Sequence, residues 1–214
     1  MNLDKNSPDT LENSTSTMTP PERPAPRPPL SRQTLERVRL RDSQALGMLF
    51  EFYFERIYGL AYRLLGERMA AEDVSQEVFR KVHRAADQLD PGRDPGPWLL
   101  SITHNVCRDI WRSRGHKLSR RTASIDEHEA LKATLSAPGE NPEQATLRRE
   151  RERTVQDALM KLPEPMRTVV ILHDYRGLSH EEISVVVGAS YAAVRKRYSR
   201  ALTRLAQLLG NRMP

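Results

Sequence analysis

The chain has 214 residues, enough for one domain or two small ones, and its 34 Lys+Arg against 28 Asp+Glu leave a formal charge of +6. No apolar run approaches the roughly 18 residues that span a bilayer, so membrane insertion is not expected; a single cysteine, Cys107, excludes an internal disulfide framework and a cysteine-rich zinc site. With no charged patch and apolar stretch at the N-terminus, no secretory leader is expected, and the chain reads as a cytoplasmic protein whose basic excess suits a polyanionic partner.

Residues 1–34 read as a disordered Pro/Ser/Thr-rich tail. The first thirty hold seven prolines and seven Ser/Thr, with Leu3, Leu11, Met18 and Leu30 as the only large apolar groups after Met1. Too little surface is available to offset the entropy of ordering. Pro20, Pro21, Pro24, Pro26, Pro28 and Pro29 are also compatible with a polyproline docking segment.

From 35 to 112 the pattern is that of a helical domain. Leu46, Leu49, Phe50, Tyr53, Ile57, Leu60, Ala61 and Leu64 recur at helical steps and predict a long amphipathic helix ending near Gly66. Ala71, Val74, Val78, Val82, Ala85 and Leu89 stripe a second helix. Asp90-Pro91-Gly92-Arg93-Asp94-Pro95-Gly96-Pro97 interrupts it. A third helix is expected from Trp98 to about Arg112, with Leu99, Ile102, Val106 and Ile110 inward. Its other face gathers Ser101, His104, Asn105, Arg108 and Arg112, flanked by Trp98 and Trp111. Such a surface suits unstacked bases, and it equally suits a plain polar outer face. On the second helix Asp73, Gln76, Glu77 and Arg80 share a face, either a favourable helix start or a protein-binding surface.

Residues 113–143 are polar and patternless and read as a linker. A second helical domain is expected over 144–210. Leu147, Val155, Ala158, Leu159 and Leu162 form one stripe, stopped by Pro163 and Pro165. Met166, Val169, Val170 and Leu172 form another, ending before Gly177. Ser179-His180-Glu181-Glu182 is a capping box. Gly188-Ala189-Ser190 then turns the chain into a last helix striped by Val194, Tyr198, Ala201, Leu205 and Leu208. That helix exposes Arg195, Lys196, Arg197, Arg200 and Arg204, and no acid follows Ile183. A short capped helix, a tight turn and a basic helix suit a helix-turn-helix with its second helix in the major groove. Nothing alternates convincingly as a strand, so the fold class is all-α.

Two blocks resemble a known family. Ala71-Glu72-Asp73-Val74-Ser75-Gln76-Glu77-Val78-Phe79 with Trp98-Leu99 and Asn105 forms the first. Leu162-Pro163, Arg167, Gly177 to Ile183, Gly188-Ala189-Ser190, Val194 and Ser199-Arg200-Ala201 form the second. In this order they are similar to a bacterial RNA polymerase sigma factor of the extracytoplasmic-function (group four) type. The resemblance implies region 2 over 35–112 and region 4 over 144–210. It further implies core-polymerase binding by Asp73, Gln76, Glu77 and Phe79. Recognition and opening of the minus-ten element then fall to the 87–97 loop with His104, Asn105, Arg108, Trp111 and Arg112. Reading of minus-thirty-five duplex falls to Ser190, Tyr191, Ala193, Arg195, Lys196, Arg197 and Arg200. Core polymerase and promoter DNA are the implied partners, with an anti-sigma factor as a frequent third.

The sequence departs from the family pattern at His104, where arginine is common, at Ala192-Ala193 for Gly-Thr, and at Tyr198 for leucine. A conventional helix-turn-helix repressor or activator explains 179–204 equally well but leaves the acidic helix and the 98–112 face unused. An adaptor whose basic helix binds an acidic protein is a further alternative. No enzyme is expected. His180-Glu181-Glu182 is followed by Ser184 rather than a second histidine, and no P-loop or dinucleotide motif is present, so no metal and no cofactor are anticipated.

Overall fold

A computed structural model describes residues 30–118 and 142–210. The proline-rich segment and most of the stretch read as a linker lie outside the described residues. Among the described residues eight α-helices follow in order: α1 (Arg32–Arg39), α2 (Ser43–Leu65), α3 (Arg68–Arg84), α4 (Gly96–Leu118), α5 (Pro142–Met160), α6 (Glu164–Val170), α7 (His180–Val187) and α8 (Tyr191–Gly210). A 3-10 turn, Ala86–Gln88, follows α3, and a π-helical turn, Ile171–Tyr175, prolongs α6. No strand occurs among the described residues, as the all-α reading anticipates.

Helix ends carry local signals. Ser31 Oγ accepts from Thr34 N to open α1, inside the stretch assigned to the tail. Asp42 Oδ1 accepts from Ala45 N at 2.8 Å to open α2. The α2 helix stops at Gly66, whose φ of 77° is a conformation that glycine alone adopts cheaply. The expected capping box is present: Glu182 N donates to Ser179 Oγ at 3.2 Å, and Ser179 N donates to Glu182 Oε2 at 2.7 Å. Gly188, with φ 62°, closes α7, and Ser190 Oγ accepts from Ala193 N to open α8.

The first four helices bury Leu49, Ile57, Leu60, Leu64, Val74, Val78, Val82 and Leu99 between them. The last four, with the turns between them, bury Leu159, Leu162, Val169, Ile171, Leu172, Ile183 and Val194. The two sets merge into one apolar cluster. Four details differ from expectation. Phe50 and Leu147, assigned to inward stripes, are exposed, because each sits at the border of an apolar arc. The second helix ends at Arg84, and its last inward residue, Leu89, is buried through the 3-10 turn instead. The third runs on to Leu118, since no proline interrupts the polar residues after Arg112.

Candidate nucleic-acid interface

The α8 helix presents the most open of the predicted surfaces. Ser190, Tyr191, Arg195, Lys196 and Arg200 are exposed, while Ala193 and Arg197 are half-buried. Arg195 stacks its guanidinium over the Tyr191 ring at 5.7 Å. Behind α8 the Tyr198 hydroxyl donates to Asp174 Oδ1 at 2.8 Å, and its ring meets the edges of His173 and His180 at 4.6 and 5.2 Å. Tyr198 thus joins a polar aromatic cluster shared by α8, the π-helical turn and the start of α7. Burial and the neighbouring Asp174 push its phenol up to about 12, so it stays a donor.

The α4 face is differently placed. Asn105, Arg108 and Trp111 are half-buried, Arg112 is exposed, and His104 retains 4% of its exposure. Burial, reinforced by the like charges of Arg108 and Arg197, pulls the His104 imidazole down to about 4. The neutral ring is therefore the form present at pH 7. His104 Nδ1 and Arg108 Nε have no hydrogen-bond partner. Trp111 lies beneath the Arg167 guanidinium at 5.7 Å. On the inward side, Cys107 is fully buried and its thiol is pushed up to about 12 by that burial, which leaves no nucleophilic thiolate at neutral pH.

The loop before α4 is stiffened by its own aspartates. Asp90 Oδ1 accepts from Gly92 N at 2.9 Å, and Asp94 Oδ1 accepts from Gly96 N at 3.0 Å. Asp94 also receives the hydroxyl of Tyr53 from α2.

On α3, Asp73 and Gln76 are exposed, and Glu77 and Phe79 are half-buried. Glu77 pairs with Arg80 at 2.9 Å. Phe79 meets Phe50 of α2 at a tilt of 47° with centroids 3.8 Å apart, and Phe50, Gln76, Phe79, Arg80 and His83 line a shallow groove. Sequence reading assigns Phe50 to the core and so misses its part in this surface. The step of four from Phe50 through Phe54 and Tyr58 to Tyr62, whose successive rings lie 5.5, 5.8 and 6.4 Å apart, is the available signal.

Arg167 and Arg176 complete the arrangement. Arg167 donates from Nε to Leu159 O at 3.1 Å, from Nη1 to Leu64 O at 2.6 Å, and from Nη2 to Met160 O and Leu162 O, both at 3.0 Å. Arg176 Nη2 donates to Arg56 O at 2.7 Å across the backbone of Gly59. Burial, with Arg63 and Arg56 nearby, pulls Arg176 down to about 10. Among the described residues no cluster of three or more metal-ligating side chains occurs, and no helix is long and apolar enough to cross a membrane.

Comparison with known proteins places this geometry. Residues 49–117 match Sigma-70 region 2 and residues 152–205 match Sigma-70, region 4. The chain is 32% identical to the RNA polymerase sigma-H factor of Pseudomonas aeruginosa over 79% of its own length and 88% of that protein. It is 29% identical to the ECF RNA polymerase sigma factor SigW of Bacillus subtilis over 83% and 96%. CnrH, solved in complex with the cytosolic domain of CnrY, superposes with a TM-score of 0.60 at 25% identity, covering 85% of this chain and 97% of that one. RpoE of Bartonella quintana, solved with the anti-sigma factor NepR, superposes at 0.58 and 23% over 78% and 96%. The chain belongs to the sigma-70 family of bacterial RNA polymerase sigma factors, in its extracytoplasmic-function branch. It is a promoter-recognition subunit that directs transcription initiation.

Proposed function

We propose that the polymerase supplies all nucleotidyl-transfer chemistry, in the cytoplasm, and that this chain, itself not an enzyme, contributes three surfaces on two domains, 35–112 and 144–210. The observation that carries the reading is the basic, acid-free outer face of α8 behind a fully capped α7. That face suits the major groove of the minus-thirty-five element: Arg195, Lys196 and Arg200 reach phosphates or guanine edges, Ser190, Tyr191 and Ala193 approach at the helix start, and Arg197 flanks them. Asp73, Gln76, Glu77 and Phe79, joined by Phe50, form the docking face for core polymerase, an apolar centre with a polar rim.

The α4 face and the 87–97 loop are assigned to the minus-ten element. Asn105 offers hydrogen bonds to a base edge, Trp111 a stacking surface, and Arg108 and Arg112 charge for the backbone, with the buried His104 behind them. Capturing an unstacked base offsets the few kcal/mol of unstacking, which favours strand opening without ATP. The solved neighbours carry anti-sigma partners, and a protein covering these faces is the expected antagonist here.

Run-off transcription with core RNA polymerase on a library of genomic fragments tests the reading. Added chain yields discrete new transcripts, and Asn105→Ala with Trp111→Ala suppresses open-complex formation while leaving polymerase binding intact. A chain that neither co-purifies with core polymerase nor directs transcripts is a conventional helix-turn-helix regulator.

A further inference from the structure

The turn between α1 and α2 holds a conformational outlier. Arg41 has φ 59°, and among the described residues it is the only non-glycine in the left-handed region. Its N–H donates to Val38 O at 2.9 Å, and Asp42 N donates to Arg37 O at 3.1 Å. That pair of bonds is the helix ending that glycine usually completes, because a Cβ is penalised there. An arginine at this position costs backbone energy, and its side chain shows what the cost secures.

The side chain reaches 42 residues along the sequence to the end of α3. Nε donates to His83 O at 3.2 Å, and Nη2 donates to Arg84 O at 3.1 Å and meets Asp87 Oδ1 at 3.4 Å. His83 and Arg84 close α3, where terminal carbonyls have no partner inside the helix. A cation also suits that end of the helix dipole. The Asp87 contact is an exposed ion pair and adds little. The two carbonyl bonds fix where the chain leaves α3. The turn that delivers Arg41 is itself held, since Arg37 Nη2 donates to Asp42 Oδ1 and to Gln44 Oε1, both at 2.9 Å.

The chain leaves α3 into the 3-10 turn and then the 87–97 loop. Tyr53 of α2 holds the far end of that loop through Asp94. Between the ends, Asp90 accepts from Gly92 N and pairs with Arg93 at 3.3 Å. The segment from Ala85 to Pro95 is thus suspended between two anchors on the α1–α2 pair.

We propose that Arg41 is a positioning residue for minus-ten recognition, which sets the exit of the chain from α3 and thereby the presentation of the 87–97 loop to a promoter base. This rests on the assignment of that loop and the α4 face to the minus-ten element. Arg41 acts through the backbone it holds and touches no base itself. Without it the loop samples other placements, and recognition that depends on a fixed geometry loses selectivity.

Arg41→Gly separates the side chain from the turn. Glycine takes φ 59° freely, so the turn keeps its shape while the long-range contacts go. Arg41→Lys keeps the charge and loses the fork.

The experiment uses the full chain with core RNA polymerase and promoters recovered by run-off transcription, each substituted singly through the minus-ten element. Arg41→Gly is expected to lower the ratio of transcription from a parent promoter to that from its substituted forms by about fivefold or more. Affinity for core polymerase and for minus-thirty-five duplex stays unchanged. Arg41→Lys recovers part of the ratio, and Arg32→Ala, which removes another exposed ion pair of α1, leaves it as in the parent chain. Deuterium exchange at the amides of 85–95 in the free chain rises in Arg41→Gly and not in Arg32→Ala. An unaltered ratio in Arg41→Gly overturns the proposal whether or not exchange rises. An equal loss of transcription from every promoter also overturns it, because that marks an arginine that only stabilises the fold. Asn105→Ala and Trp111→Ala tell the two failures apart. If they change the ratio and Arg41→Gly does not, the minus-ten assignment stands and the positioning role falls; an unaltered ratio in all three variants overturns both.

Discussion

The Tyr53 hydroxyl donates a 2.7 Å hydrogen bond to Asp94 Oδ1 across 41 residues of sequence. The same oxygen accepts from Gly96 N at the start of α4. Tyr53 is 3% exposed on α2, so a rigid core residue holds the last acidic residue of the loop that precedes α4. Burial and the adjacent carboxylate raise the phenol above its ordinary range, which keeps it a donor at every accessible pH.

Tyr53→Phe keeps the ring and removes this tether. Stability is expected to fall by about 1 kcal/mol, the usual net value of such a bond. Denaturant unfolding measures it. Discrimination among minus-ten bases should relax while polymerase affinity stays constant.

Acidification should loosen the packing of α7 on α4. His104 is buried there, and its imidazole is pulled down from 6.5 to about 4 by that burial and by Arg108 and Arg197. The neutral ring favours the packed arrangement, so its contribution to stability is present above pH 6.5 and is lost as pH falls toward 4. Glu164, whose carboxyl is raised by burial, titrates with the opposite sign. Denaturant unfolding followed from neutral pH downward, with Glu164→Gln to isolate the imidazole and His104→Gln to flatten the profile, checks this.

Duplex binding by α8 should respond to salt. Lys196→Ala is expected to weaken binding uniformly across promoter sequences and to reduce the slope of log K against log salt by about 0.9. Titrations at several salt concentrations separate this from loss of a base contact, which changes sequence preference instead.

Breaking the capping box should reach the same surface indirectly. Ser179→Ala removes the acceptor for Glu182 N and is expected to cost about 1 kcal/mol. Thermal unfolding reads the loss. Ser179→Asp, which retains an acceptor at the helix start, should rescue it.

Much of this fold is written in local signals. Gly66 and Gly188 stop helices where the apolar stripes end, Ser179 and Glu182 announce α7, and the steps of three and four place Leu49, Ile57, Leu60 and Leu64 inside. Stripe borders are less legible: Phe50 pairs with Phe79 on the surface because a neighbouring helix, not its own, decides its environment. The shared face of Asp73, Gln76 and Glu77 on α3 and the basic face of α8 follow from spacing and charge, whereas Phe79 enters only through the family resemblance. The covering of His104 does not, since it depends on α7 and α8, some eighty residues away, packing on α4. Tyr198 reads as a departure in sequence and as a hydroxyl bonded to Asp174 in space. Gly59 offers a faint hint, an isolated glycine within a helical run, and its reason emerges only when Arg176 crosses it.

Arg167→Ala removes four bonds at once and should destabilise the protein by about 3 kcal/mol or more. Arg167→Lys should recover little, because an ammonium cannot span the same fork. Chemical denaturation distinguishes the two.

All four acceptors of Arg167 are main-chain oxygens. Such a fastening is blind to side-chain identity. The ends of α2 and α5 are free to drift in composition without releasing it, provided each helix keeps its length and direction, so insertion of even one residue near Leu64 threatens the joint more than any replacement there.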